Sequence, residues 1–269
     1  MDEPRPHSAP DWAEHPDLVA YYETHRNQIS DLYPSERRFL PWLAAGADSV
    51  LDVGCGAGGF AEAWRAYRPS IRYTGVDVSG PLVSAARRAH PEHEFLQADC
   101  VEGVPLADGY ADVVSAVGWL HWEARYADAL AELWRLTGRY AFFDLRLADG
   151  PGPDTIAVQR LALSSDWDGR TTVPYICASW RRVAELLVDL CPARILAHGY
   201  LGRPAATVMG VDGDVCFATF VLERAGHGRC PEVVLDLPLE WPHALSGRVR
   251  IAGAKRLDEL VGEVEGARR

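Results

Sequence analysis

The hydrophobic pattern of the chain changes repeatedly between two periods from about residue 47 onward. Short apolar runs predict buried strands, and segments with apolar residues three or four positions apart predict amphipathic helices. Five strands are predicted in this way, "SVLDVG", "RYTGVDVS", "HEFLQADC", "ADVVSAVG" and "RYAFFDLRL", with the helices "GFAEAWRAY", "GPLVSAARRAH" and "RYADALAELWRLTG" between them. This alternation predicts right-handed βαβ units and a parallel sheet with helices on both faces.

The pattern differs on either side of this region. Before it, "PDLVAYYETHRNQISDLY" predicts one helix and "SERRFLPWLAAG" predicts a second. After it, residues 154–178 show no regular period, and "SWRRVAELLVDL" predicts another helix. The runs "RILAHGYLG" and "VCFATFVLER" predict two strands without a crossover helix, and such strands should pair antiparallel.

These patterns divide the chain into four regions. Residues 1–15 are polar and proline-rich, and we expect them to be mobile. Residues 16–46 are expected to form a helical lid. Residues 47–225 are expected to form the main α/β domain, with an insert at about 150–180. Residues 226–269 are a C-terminal extension, proline-rich at first and helical near its end.

Composition and charge limit the classes of partner. The 269 residues carry a formal net charge of −11, which argues against nucleic-acid binding and favours a small-molecule partner. No apolar run is long enough to span a bilayer, and the first residues lack the features of a signal peptide, so we expect a cytoplasmic protein without membrane contact. The six cysteines are scattered without a C-x-x-C pair, so no metal site is expected.

The first predicted strand runs into the glycine loop "LDVGCGAGGF", which fits two cofactor motifs. Gly54, Gly56 and Gly59 match the G-x-G-x-x-G pattern of dinucleotide-binding proteins. Gly54, Gly56 and Gly58 match a G-x-G-x-G loop with Asp52 two residues ahead. Both motifs place a tight turn before a helix N-terminus, so the loop alone does not choose between them.

Acidic residues at the ends of three successive strands favour S-adenosylmethionine as the cofactor. Asp77 follows the second strand, where either cofactor needs an acceptor for its ribose hydroxyls. Asp52 would repel a pyrophosphate but suits a cofactor with an α-ammonium group. Asp99 ends the third strand, where a carboxylate can accept a hydrogen bond from an adenine amino group. The terminal hairpin also lies outside a dinucleotide-binding domain built from two βαβαβ halves.

Residues 35–224 resemble the class I S-adenosylmethionine-dependent methyltransferases. The resemblance rests on "LDVGCGAGG", "GVDVS", "ADCVEGVPLADGYADVVSAVGWLHW" and the closing hairpin, and "WLHW" is similar to small-molecule enzymes of the trans-aconitate and juvenile-hormone-acid type. It implies a Rossmann-like seven-stranded sheet, mostly parallel, with strand seven antiparallel. It also implies S-adenosylmethionine as methyl donor and S-adenosylhomocysteine as product.

The resemblance implies a set of cofactor-binding residues. Asp52 and the glycines would line the methionine half of the donor, Asp77 would hold the ribose, and Asp99 with the backbone of Cys100 would hold the adenine. Cys55 is better explained as a small filler of the loop than as a nucleophile. The full predicted set is Asp52, Gly54, Cys55, Gly56, Gly58, Asp77, Val78, Asp99, Cys100, Val117, Gly118, Trp119, Tyr21 and Arg37.

His121 is the catalytic candidate, because imidazole has a suitable pKa for a general base. A histidine that only shapes the pocket explains the residue equally well. Arg146 shares a strand face with Asp144, so it either pairs with that acid or holds an acidic acceptor. The predicted acceptor-binding residues are Tyr22, His25, Trp122, Arg146, Trp167 and Tyr175.

These predictions combine into one functional hypothesis. We expect methyl transfer to a small apolar or aromatic metabolite, on oxygen, with specialised metabolism as the setting. Nitrogen or carbon acceptors, a nicotinamide-dependent oxidoreductase and a non-catalytic S-adenosylmethionine-binding protein are the alternatives. An exposed edge at strand seven and the C-terminal extension would permit a homodimer.

Overall fold

The structure is a computed structural model. It describes residues 13, 15, 17–26, 29–150, 152–161, 171–224 and 230–266. The predicted acceptor-binding residue Trp167 lies outside these ranges, as does most of region 1–15.

A central mixed sheet organises the chain. Its strands run in the order β12-β11-β8-β10-β5-β4-β1-β2-β3, and β6, β7 and β9 branch from it. The strands are β1 (Ser49–Val53), β2 (Arg72–Asp77), β3 (Glu94–Gln97), β4 (Ala111–Ala116), β5 (Thr137–Ala148), β6 (Thr155–Arg160), β7 (Thr172–Ser179), β8 (Arg194–Gly202), β9 (Val208–Met209), β10 (Val215–Glu223), β11 (Glu232–Asp236) and β12 (Arg250–Gly253).

Helices cover both faces of the sheet, as the βα alternation predicts. They are α1 (Leu18–Tyr22), α2 (Pro34–Ala45), α3 (Phe60–Tyr67), α4 (Gly80–Ala89), α5 (Tyr126–Leu136), α6 (Trp180–Asp189) and α7 (Ala254–Gly266). One core joins α5 and α6 to the sheet through residues such as Leu130 and Leu187. The other joins α2, α3 and α7 to it through Phe39, Trp64 and Leu257. None of the helices in the described ranges is long and apolar enough to cross a membrane.

The predicted parallel strands and the antiparallel terminal strand are confirmed. Neighbours among β1 to β5 pair parallel, while β10 pairs antiparallel with both β5 and β8. The prediction that this last strand forms an exposed edge is wrong, because β10 lies inside the sheet. A homodimer through that edge is therefore no longer supported.

The C-terminal extension is part of the sheet, which the sequence did not indicate. Strand β11 adds to β8 in parallel, and β12 adds to β11. Val233 and Val234 are fully buried in these contacts, and α7 buries Leu257 against α2. The run "EVVLD" is short and has prolines on either side, a pattern that is typical of a loop, so the sequence did not predict a strand there.

The insert also has regular structure where irregular chain was expected. Strands β6 and β7 pair antiparallel from Thr155–Cys177 to Arg160–Thr172, and β9 pairs with β6. Ala157 is buried while Ile156 and Val158 are exposed, so one face of this hairpin packs inward. That inward face forms one wall of the main cavity described below.

The predicted N-terminal helix is shorter than its pattern indicates. It ends after one turn at Tyr22, and the chain reverses through Arg26, which has a φ of +60°. Helix α2 forms as predicted, with Pro41 inside it. The Glu36 side chain accepts a hydrogen bond from the Tyr33 N–H at 2.7 Å and so caps this helix.

Candidate active site

The glycine loop adopts the G-x-G-x-G form of the motif. Gly54, Gly56 and Gly58 have φ values of +77°, +57° and +85°, a region that favours glycine. Gly59, which the dinucleotide motif needs as its third glycine, has a φ of −59° in the helical region. The turn therefore uses the three glycines of the G-x-G-x-G motif.

Two aromatic rings lie directly on this loop. A Cβ at position 54 would lie 2.4 Å from the Trp119 ring, and one at position 56 would lie 3.4 Å from the Tyr22 ring. Trp119 is fixed by a hydrogen bond of 2.7 Å from its Nε1 to the carbonyl of Val53. Gly58 points away from these rings and packs against His90 and Phe95 instead.

Asp77 holds the glycine loop from the end of β2. One carboxylate oxygen accepts from the Gly56 N–H at 2.8 Å and the other from the Ser79 N–H at 2.9 Å. Burial raises the pKa of Asp77, and the backbone hydrogen bonds oppose this. Each oxygen still has a lone pair for a further donor.

Asp52 lies at the end of β1 between two neighbouring strands. It accepts hydrogen bonds from the Tyr73 hydroxyl at 2.7 Å and from the Ser115 hydroxyl at 2.5 Å. Burial raises its pKa to about 6, although both hydroxyls stabilise the charged form. The carboxylate therefore exchanges its proton near neutral pH in the absence of a cation.

Gly54, Gly56, Asp77 and the two rings on the loop line a cleft at the carboxyl ends of β1 to β4, which we call the strand-end cleft. Such ends are where open α/β sheets bind ligands. Asp77 and Asp99 reach it from neighbouring strands, as predicted. It is lined by Tyr22, Val53, Gly54, Gly56, Val76, Asp77, Val78, Leu82, Ala98, Asp99, Cys100, Trp119, Trp122 and Glu123.

A second, larger space of about 350 Å³, which we call the main cavity, continues from this cleft. Most predicted acceptor residues lie here together with the methionine-end residues. The described residues that line it are Tyr21, Tyr22, His25, Arg26, Tyr33, Asp52, Gly54, Cys55, Gly56, Ala57, Gly59, Phe60, Val117, Gly118, Trp119, His121, Trp122, Arg146, Gln159, Tyr175, Ala205 and Phe217.

The arginine that reaches the main cavity from the segment between α1 and α2 is Arg26, and the prediction of Arg37 is not supported. Arg37 donates to the carbonyls of Leu32 and Ser30, and it does not line either space. Arg26 binds the buried Glu36 through both terminal nitrogens, at 3.1 and 2.7 Å. No local pattern identifies Arg26, because its position depends on the left-handed turn.

Arg146 and Asp144 form a buried ion pair on β5. Asp144 accepts from the Arg146 guanidinium at 2.5 Å and from the Gly118 N–H at 2.5 Å. Burial would raise the pKa of Asp144, but Arg146 outweighs it and the pKa is lowered. The Arg146 Nε is enclosed by protein and has no hydrogen-bond partner among the described residues.

The wall around Arg146 is aromatic. Phe217 lies opposite Arg146 in the β5–β10 register, and the guanidinium sits 4.4 Å from the centre of its ring. The Tyr200 ring stacks on the Phe217 ring, with the ring centres 5.5 Å apart. Tyr175 also lies near Arg146. Burial raises the pKa of Tyr175, and the positive charge of Arg146 opposes this rise. The predicted antiparallel pairing of the last strand is the feature of the sequence that could have indicated a contact between Phe217 and Arg146.

His121 is buried in the same wall, 6% exposed, with its ring 5.4 Å from the ring of Tyr175. In the described part of the chain, no group forms a hydrogen bond with its buried Nδ1. Burial lowers its pKa to about 3, with Arg146 adding to the effect and Asp144 opposing it. The imidazole is therefore neutral at physiological pH and is a weak base.

Trp122 joins this wall to the β6–β7 hairpin. Its Nε1 donates to the Gln159 side-chain oxygen at 2.9 Å, and the Gln159 amide nitrogen contacts the Thr207 hydroxyl at 3.3 Å. At the side of the cavity formed by α1 and the residues after it, the Tyr21 ring stacks on the His25 ring, with the ring centres 4.1 Å apart. The predicted acceptor residues inside the described ranges therefore surround one space.

Among the residues that the structure describes, one group of potential metal ligands was found, and it lies outside both spaces. Glu62, His90 and Glu92 bring their ligand atoms within 4.8 Å of one another. Arg65 already forms ion pairs with Glu62 at 3.6 Å and with Glu92 at 3.0 Å. The guanidinium of Arg65 therefore explains why these two carboxylates lie close together.

Comparison with known proteins supports the methyltransferase interpretation. Residues 51–141 match the family model described as a methyltransferase domain. The chain is 36% identical over 87 residues to a malonyl-[acyl-carrier protein] O-methyltransferase of Enterobacter lignolyticus, covering 32% of this chain and 34% of that protein. It is 25% identical over 158 residues to a trans-aconitate 2-methyltransferase of Paracidovorax citrulli, covering 58% of each.

The matches cover only part of these relatives, between about a third and three fifths of their length. Among solved structures, the N-terminal domain of EvdMO1, crystallised in the presence of SAH and D-fucose, is similar in fold. That match has a TM-score of 0.50 and 15% identity and covers 79% of this chain and 84% of that one. The region of the chain that is similar to a methyltransferase domain, residues 51–141, contains both the glycine loop and the strand-end acids Asp52, Asp77 and Asp99.

Proposed function

We propose that the protein transfers the methyl group of S-adenosylmethionine to a carboxylate oxygen of a small-molecule acid. The observation that carries this proposal is Arg146, a buried guanidinium that lines the main cavity and that, among the described residues, forms one ion pair, with Asp144. A buried cation in a cavity wall fits an anionic ligand, because charge-assisted hydrogen bonds offset the cost of burying both charges.

The donor side fits the same assignment. Asp77 would accept from the ribose hydroxyls and Asp99 from the adenine amino group, at the ends of β2 and β3. Asp52 would face the ammonium group, which would stabilise its charged form. Arg26 would reach the donor carboxylate, since it lies in the main cavity next to Gly118.

The neutral His121 favours an acceptor that is already deprotonated. An alcohol, phenol or ammonium acceptor must lose a proton, and His121 would have to hold it as a buried imidazolium in the field of Arg146. Burial lowers the pKa of His121 to about 3, so this is unfavourable near pH 7. A carboxylate is ionised at that pH and needs no base.

The side chains would then act mainly by orientation and exclusion of water. The bound donor supplies a methyl group that its sulfonium charge activates. Arg146 would hold the acceptor carboxylate, Trp119 would lie on the glycine loop at the junction of the two spaces, and His121 would line the cavity wall as a neutral ring. Positioning of this kind supplies much of the rate gain of a bimolecular displacement.

The names of the two relatives support an acidic acceptor, since malonyl and aconitate groups both carry carboxylates. The proposal is tested by incubating the full chain and S-adenosylmethionine with 3-phenylpropanoate, 3-phenylpropanol and 3-phenylpropylamine. These compounds share one body and differ in the acceptor group. We expect a base-labile methyl ester from the acid alone, detected by mass spectrometry. Methylation of the alcohol or amine in preference to the acid would overturn the proposal.

A further inference from the structure

We infer that the acceptor carries a single carboxylate on an aromatic or apolar body and that the site excludes acids with a second carboxylate. This inference rests on the proposed function and concerns the same cavity. It follows from the charges in the cavity walls and from the nature of the surfaces between them.

The cations available for an anionic acceptor are few. Along the main cavity, the described residues include two arginines, Arg26 and Arg146, and no lysine. Three buried carboxylates, Glu36, Asp52 and Asp144, lie in or beside the same space. Over the part of the chain that the structure describes, the walls therefore carry no excess of positive charge that could bind a polyanion.

The two guanidiniums also differ in their remaining capacity. Arg26 uses both terminal nitrogens on Glu36, and one of them also contacts the carbonyl of Asp31 at 3.2 Å. Arg146 uses one terminal nitrogen on Asp144, and its guanidinium lines the same cavity. If Arg26 also serves the donor carboxylate, Arg146 is the arginine that remains for the acceptor among the described lining residues, and it can hold one carboxylate.

The rest of the acceptor would face rings. Phe217 lies against the Arg146 guanidinium, and Tyr175 and Trp122 each lie against His121 at 5.4 and 5.2 Å. A second carboxylate placed among these rings would lose its water without gaining a cation, which is costly. An aromatic body, in contrast, gains contact area and ring packing there.

The inference is tested by comparing 3-phenylpropanoate with phenylsuccinate, which is the same skeleton with one additional carboxylate. We expect kcat/KM for phenylsuccinate to be roughly 100-fold lower in the wild-type protein, as expected for an unpaired buried charge. Comparable kcat/KM values for the two acids would overturn the inference and leave the proposed function standing. Failure to methylate either acid, with S-adenosylhomocysteine still bound, would count against both.

A variant with an added positive charge in the cavity wall tests the same inference. Gln159 lies in the main cavity, so Gln159→Lys adds a cation to its wall, and Gln159→Met is the matched uncharged control. Both substitutions remove the hydrogen bond from Trp122. We expect the preference for 3-phenylpropanoate to shrink about tenfold in the lysine variant and to persist in the methionine variant. An equal preference in both variants would overturn the electrostatic argument.

Discussion

Asp144 and Arg146 form a buried ion pair whose carboxylate also accepts the Gly118 N–H, so one acid connects the loop after β4 to the cation of the main cavity. Both side chains project from the same face of β5, two residues apart. The pair therefore fixes the guanidinium that the proposed acceptor needs, and Asp144 acts as a positioning residue.

Asp144→Asn should misplace Arg146 without removing it. The asparagine oxygen can still accept from Gly118, but its amide group opposes the guanidinium. We expect KM for 3-phenylpropanoate to rise about tenfold or more with a smaller change in kcat, and stability to fall by about 3 kcal/mol, because one buried charge loses its partner. Asp108→Asn, in the exposed pair with Arg135, is the control and should cost under about 1 kcal/mol. Equal effects of the two substitutions on KM would refute the positioning role.

Gly58→Ala and Gly59→Ala distinguish the two glycine motifs. An alanine at position 58 must adopt a φ of +85° and would meet His90 and Phe95 at 3.0 Å, whereas Gly59 has an ordinary helical φ. We expect Gly58→Ala to destabilise the protein by about 1–2 kcal/mol or more and to weaken S-adenosylhomocysteine binding. Gly59→Ala should leave the denaturation midpoint nearly unchanged. The reverse order of the two variants in denaturant unfolding would contradict the assignment.

Asp52 should make donor binding depend on pH. Its pKa is raised to about 6, so the free protein takes up a proton there as the pH falls, and the ammonium group then loses its partner. We expect the affinity for S-adenosylhomocysteine to fall between pH 7.5 and pH 5 in the wild-type protein, measured by calorimetry. Asp52→Asn should bind more weakly at pH 7.5 and show a flatter dependence. If the affinities of the wild-type protein and Asp52→Asn depended on pH in the same way, Asp52 would not be a ligand of the donor.

His121 should affect stability in acid rather than act as a base. Its folded pKa, about 3, lies below its unfolded value of 6.5, so the unfolded chain binds more protons and stability falls as the pH drops through that interval. Between pH 6.5 and pH 5 the wild-type protein should lose about 2 kcal/mol more than His121→Asn. Denaturant unfolding at the two pH values measures this. The contrary result would be a pH–rate profile for acid methylation in which the wild-type protein shows a titration near pH 6.5 and His121→Asn does not. That result would support His121 as the general base.

Much of the fold was predictable because it rests on local periodicity. The strands β1 to β5 and the antiparallel β10 follow from apolar runs and from the absence of a crossover helix. Strands β11 and β12 were not predictable, since their pairing with β8 depends on contacts distant in sequence and their short runs lie among prolines. The short α1 ends in a turn that no residue type in "YETHR" specifies.

The site was predictable where it depends on strand ends. Asp52, Asp77 and the glycines lie together because the carboxyl ends of parallel strands meet at one edge. Arg26 was missed, because it reaches the cavity only through a left-handed turn. The protonation of His121 also could not be predicted, since it depends on burial and on the charge of Arg146.

Removal of the acceptor cation tests the central claim most directly. The double variant Asp144→Asn/Arg146→Gln deletes both buried charges together, so no unpaired charge remains to unfold the protein. The measurement is kcat/KM for methyl ester formation from 3-phenylpropanoate, with the dissociation constant of S-adenosylhomocysteine as the control for folding and donor binding. We predict a loss of about 100-fold or more in kcat/KM with a dissociation constant within about twofold of wild type. Unchanged ester formation in a variant that still binds S-adenosylhomocysteine would contradict the account.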